Sequence, residues 1–282
     1  MRYKIIIDSC GELTKEMKES GKFISVPLTL QVGEQEITDD ETFHQREFLQ
    51  AVAQCPECPK SACPSPEKYR ECCEGEEENI YMITLSANLS GSYNSAVIGK
   101  DLYLEDNPKK NIHVFNSKSA SIGQTMIALK IQECEEKGMS FQEVVDTTEI
   151  FIKGMRTYFV LENLETLRKN GRLSLVKAFV ASALKIKPVM GEDGEGNIIQ
   201  IDQARGIHKA LEKMLNYIEK NVKNPEEKVI GITNCNCPER AEMLKEELKK
   251  RLKVKDVIIL NAAGVSSMYA NDGGVIIAVH CD

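Results

Sequence analysis

Ile80-Tyr81-Met82-Ile83-Thr84-Leu85 is an apolar run, and Leu89-Ser90-Gly91-Ser92-Tyr93-Asn94-Ser95-Ala96 follows it as a turn of small, hydroxyl-bearing residues. A short apolar run bounded by turn residues reads as a buried strand, and the pattern after the turn predicts a helix over Ser92 to Tyr103. The first N–H groups of a helix have no intrahelical partner, so those at the end of a buried strand point at whatever lies beyond it. Such a turn can hold an anion. A second hydroxyl cluster, Ser61-Ala62-Cys63-Pro64-Ser65-Pro66, precedes a predicted helix through Tyr69 and Cys72. Ser65 suits its N-cap and Pro66 its first turn. Capping alone would account for the hydroxyls at both places, and the spacing leaves capping and ligand binding open.

Outward from this unit the chain alternates. Lys4 to Asp8 and Ile112 to Asn116 read as strands, and Ser121 to Lys137 and Phe141 to Met155 as helices. Parallel strands cannot be joined by tight hairpins, so alternation of this kind predicts a mostly parallel sheet with helical crossovers. Leu28 to Thr38 reads as a small hairpin around Gly33, and Glu74 to Glu78 as a solvated acidic linker. In the second half, Ile207, Ala210, Leu211, Met214, Leu215, Ile218 and Val222 recur at helical spacing, as do Leu244, Leu248 and Leu252. Both stripes are core faces. Val229 to Thr233 and Val257 to Leu260 read as strands, and Gly191 to Asn197 as a glycine-rich turn joining two more. The expected architecture is α/β in two domains, 1–158 with a mostly parallel sheet and 159–282 with a mixed one.

The 282 residues carry a net charge of −7, which argues against a nucleic-acid partner, since phosphate binding needs a basic face. The N-terminal isoleucine run is too short for a signal-peptide core and no stretch approaches membrane-spanning length, so a cytoplasmic location is expected. Five of the ten cysteines, Cys55, Cys58, Cys63, Cys72 and Cys73, fall close together. Cys55/Cys58 with Cys72/Cys73 could imitate a zinc site, but adjacent cysteines rarely chelate one ion together, and His44, His113, His208 and His280 are scattered. Neither a metal nor a cofactor is expected. No catalytic motif is complete: the serine turn lacks the first glycine of a G-x-S-x-G elbow, and there is no P-loop. Asp8 lies at a strand end where phosphotransferases place a nucleophile, but the second aspartate of that arrangement is Cys10 here.

Five segments in order, Ile5 to Leu13, Ser61 to Pro66, Leu89 to Ala96, Asn116 to Gly123 and Leu161 to Ser174, resemble the successive motifs of the DegV family almost end to end. The resemblance implies two α/β domains holding a long-chain fatty acid between them, and for many members a role as acyl-carrying partner of bacterial fatty acid kinase. It makes Ser61 and Ser90 the carboxylate contacts, with Gly91 and Ser92 beside them. Arg172 matches the arginine of the G-G-R-[IL] motif, and Arg205 an arginine after the second hairpin. Tyr269 takes the place of the histidine in the terminal H-x-G-P-G turn. Phe159, Phe179, Ile186 and Met190 are candidates for the acyl slot and equally for plain core. The reading from another class is an enzyme acting on a small phosphorylated or acylated metabolite through Asp8 or a serine.

Overall fold

The computed structural model describes residues 2–175 and 185–282, so Phe179 lies outside the described residues. The chain opens with β1 (Tyr3–Asp8), α1 (Lys15–Glu19), β2 (Phe23–Val26), β3 (Thr29–Val32), β4 (Gln35–Thr38), α2 (Gln45–Gln54), β5 (Lys60–Ala62) and α3 (Pro66–Cys72). There follow β6 (Asn79–Thr84), α4 (Ser92–Asp106), β7 (Asn111–Asn116), α5 (Ile122–Glu136), α6 (Phe141–Gly154), β8 (Met155–Val160) and α7 (Glu165–Lys169). The remainder is β9 (Ile186–Glu192), β10 (Ile198–Arg205), α8 (Ile207–Asn221), β11 (Val229–Asn234), α9 (Pro238–Leu252), β12 (Asp256–Asn261), α10 (Gly264–Ala270) and β13 (Val275–His280).

The first sheet, β2-β1-β6-β7, is parallel throughout. The second, β10-β9-β8-β13-β11-β12, is mixed: β11 runs parallel to β12 and antiparallel to β13. The expected hairpin is β3–β4, and β5 joins it as a third antiparallel strand. The expected division near residue 158 falls inside β8, whose six residues all pair with β13 in the second sheet. The chain therefore changes sheets at the α6–β8 junction, Gly154 to Met155.

The sheets and helices stack in layers. α3 and α4 cover one face of the first sheet through Tyr69, Ala96 and Tyr103, and α8 and α9 cover the outer face of the second through Leu211, Met214, Leu244 and Leu248. α5 lies between the sheets, with Ile122, Met126, Ile127 and Ile131 in one cluster that joins Ile5, Ile7 and Tyr81 to Ala278. A helix with sheets on two sides has no solvent face over much of its length, and nine of the fifteen α5 residues are buried, Gln124 and Thr125 among them.

α3 and α4 meet closely at Gly99, where a Cβ would lie 2.5 Å from the Pro66 carbonyl oxygen and 2.8 Å from Tyr69 Cβ. Backbone cannot yield as a side-chain tip can. Gly99→Ala is expected to cost about 2 kcal/mol of stability, the usual range for overpacking, in spite of alanine's better helix propensity. Chemical denaturation of the ligand-free protein checks this; an unchanged midpoint would mean that the two helices part without cost.

Candidate functional site

The C-terminal ends of parallel strands leave a crevice, and in this molecule the second sheet and α10 roof it over. The result is a cavity of about 350 Å³. Its wall is largely apolar: Leu28, Leu85 and Leu89 come from the first half, Phe159, Leu161, Leu167, Ile198, Val265 and Ile276 from the second. A set of polar groups interrupts this lining where β5, the β6–α4 turn, α10 and the turn after α7 converge. There Ser61, Ser90, Gly91, Arg172 and Tyr269 all face the cavity.

Hydrogen bonds tie these groups together. Ser61 Oγ lies 3.1 Å from the Tyr269 hydroxyl, and Arg172 Nε donates to the Leu89 carbonyl at 3.1 Å, beside Ser90. A second Arg172 nitrogen donates to the Asn170 carbonyl, so the guanidinium is braced in the half-buried wall. Burial raises the Tyr269 phenol above its ordinary value, against the pull of Ser61 and Arg172, so at physiological pH it is a neutral donor. The set therefore offers hydroxyl protons and one fixed positive charge. Ala62, Cys63 and Gly91 beside it are exposed, which brings this end of the cavity to the protein surface.

The sequence-predicted residues separate here. Ser61, Ser90, Gly91, Arg172 and Tyr269 come together. Ser92 does not reach the cavity: it is the first residue of α4, fully buried, with its Oγ 3.0 Å from Ser90 Oγ and its N–H donating to Ser90 Oγ at 3.2 Å. Arg205 is exposed at the end of β10, opposite Ile186, and is not among the described lining residues, because the β9–β10 pairing carries that end of the hairpin away from the cavity. Of the acyl-slot candidates Phe159 lines the wall. Met190 is buried in the core cluster beside Phe159 and Ile186 is half-buried at the start of β9. Gly191 and Glu192 of β9 line the cavity, and Met190 does not. Ser65 is a cap: its Oγ accepts from Lys68 N at 3.4 Å.

The opposite part of the wall was not legible in the sequence. The turn between β9 and β10 docks on the first half of the chain, where Ser86 Oγ donates to the Gly196 carbonyl at 2.8 Å, Asn88 Nδ2 to the Glu195 carbonyl at 2.8 Å, and Lys118 Nζ pairs with Glu195 at 2.7 Å. Gly196 has φ +84°, and a Cβ there would sit 2.8 Å from Lys118 Cα, so only glycine allows the contact. Ser119 Oγ and Thr157 Oγ1, 2.6 Å apart, join the β7–α5 loop to β8 in the same region. The signal available was the glycine-rich turn Gly191 to Asn197, whose partner lay far away in sequence.

Three buried carboxylates stand behind the cavity. Asp8 accepts from Cys10 N, Gln124 Nε2 and Leu85 N at 3.2, 2.9 and 2.8 Å, so both of its oxygens are taken. It joins β1 to the end of β6 and to α5, lines no part of the cavity, and is held at about 6 by burial. An aspartate bound in this way is not placed as a nucleophile. Glu12 accepts from Ser121 Oγ at 2.9 Å, Thr233 Oγ1 at 3.3 Å and Ala263 N at 3.3 Å, linking the first sheet's side of the molecule to the second. Burial raises it to about 7, against the Ser266 and Ser121 hydroxyls. Asp39 accepts from Ser9 Oγ, Gly264 N and Val265 N at 2.9, 2.6 and 2.9 Å and so anchors α10, which carries Ser266 and Tyr269 into the wall. The clustered cysteines part company: Cys55 and Cys58 flank the exit of α2, while Cys72 and Cys73 end α3 with Cys73 buried. Among the described residues no group of three or more His, Cys, Asp or Glu side chains is placed to hold a metal ion. Among them, too, no helix is long and apolar enough to cross a membrane.

Comparison with known proteins places this geometry among relatives. A profile of the DegV family, described as uncharacterised proteins, matches residues 2–280. A DegV domain-containing protein of Streptococcus pneumoniae (strain ATCC BAA-255 / R6) is 32% identical over 284 residues, covering 100% of both chains. A DegV family protein of Ruminococcus gnavus ATCC 29149, solved with vaccenic acid, is 51% identical, with a TM-score of 0.95 over 98% of this chain and 99% of that one. The Streptococcus pneumoniae Fatty Acid Kinase (Fak) B3 protein, loaded with linoleic acid, is 30% identical, with a TM-score of 0.88 over 100% of each chain.

Proposed function

This chain belongs to the DegV family, and from that premise we propose that it binds a long-chain fatty acid and presents the carboxylate to a partner kinase for acyl phosphate formation. The observation that carries the reading is the composition of the cavity wall: hydroxyls and an arginine are gathered at its surface end, and most of the wall's area is apolar. The Ser61 and Ser90 hydroxyls donate to the carboxylate, with the Tyr269 hydroxyl bonded to Ser61 beside them, and Arg172 supplies the countercharge from the wall. Hydrogen bonds to a charged acceptor are the stronger kind. The tail supplies affinity: at ~0.8 kcal/mol per buried methylene, a chain of about sixteen carbons gains on the order of 10 kcal/mol before ordering costs.

The head group lies beside exposed Ala62, Cys63 and Gly91, so a second protein can reach it without the tail leaving the cavity. That supports presentation of the ligand as a substrate for another enzyme. The reading treats the two sheets with their helices as two units closing on the ligand, and it includes a cytoplasmic location, to which a chain whose ten cysteines are all free is suited.

Native mass spectrometry of the purified protein, followed by denaturation and lipid extraction, tests the proposal. A fatty acid released at one equivalent per chain is the expected result. A ligand-free protein that also takes up no added fatty acid would overturn it.

A further inference from the structure

Tyr69 belongs to α3, lines no part of the cavity and is 0% exposed. A buried tyrosine hydroxyl normally finds a hydrogen-bond partner. This one has no direct partner, although it lies beside Ser92 and Asp8. Asp8 has already accepted three donors, from Cys10, Gln124 and Leu85. Ser92 is committed on one side only, to Ser90 Oγ at 3.0 Å.

The proton count across these three hydroxyls sets a direction. Ser90 has one proton, and when that proton goes to a ligand carboxylate in the cavity, the Ser90–Ser92 contact requires Ser92 to be the donor. The Ser92 oxygen then has lone pairs to fill, and the donor beside it with no other partner is the Tyr69 hydroxyl. We propose that Tyr69 is a positioning residue for the anionic head group: with the carboxylate bound, the Tyr69 hydroxyl closes on Ser92 and donates to it, Ser92 donates to Ser90, and Ser90 to the ligand carboxylate, each bond polarising the next toward the cavity. The inference rests on the fatty-acid reading above. Ordered in this way, a chain of hydroxyls holds the Ser90 proton pointed outward and strengthens it as a donor. Tyr69 packs on the helix that carries Ser92, since a Cβ at Gly99 of α4 would lie 2.8 Å from Tyr69 Cβ.

The test is a binding titration of one long-chain fatty acid, and of the alcohol of equal length, to the wild type, Tyr69→Phe, Ser90→Ala and the double variant, with thermal unfolding of each ligand-free protein. Tyr69→Phe removes one oxygen atom and keeps the packing. It is expected to weaken the acid about fivefold, the equivalent of one hydrogen bond, to weaken the alcohol less, and to have no further effect in the Ser90→Ala background. Equal affinity of wild type and Tyr69→Phe for the acid would overturn the relay, as would the same fivefold loss persisting without Ser90. If Tyr69→Phe unfolds, Ser92→Ala replaces it and must show the same Ser90-dependent loss; full affinity in that variant overturns the proposal. A wild type that binds neither acid nor alcohol overturns the fatty-acid reading and the relay with it.

Discussion

Replacing Ser61 and Ser90 together by alanine is expected to weaken binding of a fluorescent fatty acid roughly a hundredfold, while the ligand-free protein unfolds as the wild type does. Each hydroxyl that donates to a carboxylate contributes at the lower end about 1.5 kcal/mol, and two such losses sum to about 3 kcal/mol. The single substitutions are expected to fall short of an even share. Ser61 Oγ and the Tyr269 hydroxyl are 3.1 Å apart, so without Ser61 the tyrosine proton is released to turn toward the ligand. Ser90 has no such neighbour, because Ser92 lies behind it and out of the cavity. Ser90→Ala is therefore expected to be the more damaging single change. A folded double variant with undiminished affinity would remove both residues from the head-group site.

The second large effect is on stability as a function of pH. Glu12 is raised to about 7 by burial, from an ordinary value near 4.5. Between these values the folded chain holds a proton that the unfolded chain has released, so stability falls as pH rises through the window and levels off above it. The full contribution is on the order of 3 kcal/mol, at 1.36 kcal/mol per unit. Asp8 acts with the same sign but is already half titrated at about 6. The slope between pH 6 and 7 thus belongs mainly to Glu12. Glu12→Gln, which keeps the shape and an acceptor for Ala263 N, is expected to flatten that part of the profile in chemical denaturation at a series of pH values. A variant with the wild-type slope would show that Glu12 is not the group being titrated. Asp39, also raised by burial, stays in both proteins and cancels in the comparison.

Much of the local structure was legible. The strand, turn and helix expected from Ile80 onward correspond to β6 and α4, the α5, α6 and α8 segments begin and end within a few residues of their sequence patterns, and the Leu244, Leu248 and Leu252 stripe lies in α9. The capping role of Ser65 followed from its place before Pro66. The division was expected near residue 158, whereas the change of sheet comes at Met155, because β8 is assigned to the second sheet by its partner β13. Arg172 and Arg205 were alike in sequence, both arginines near turns. They differ because Arg172 folds back to the Leu89 carbonyl while Arg205 ends an outward-facing strand.

What the amino-acid order determined by itself is the alternation of buried strands and helices and the supply of hydroxyls at the two turns, because periodicity and turn chemistry act over a few residues. Whether those hydroxyls face one ligand was decided only in three dimensions. Ser61 meets Tyr269 across 208 residues of chain, and Glu12 meets Ala263 across 251. Contacts at that separation depend on which strands pair and in what register. A shift of one residue turns every side chain to the opposite face, and no local pattern records the choice.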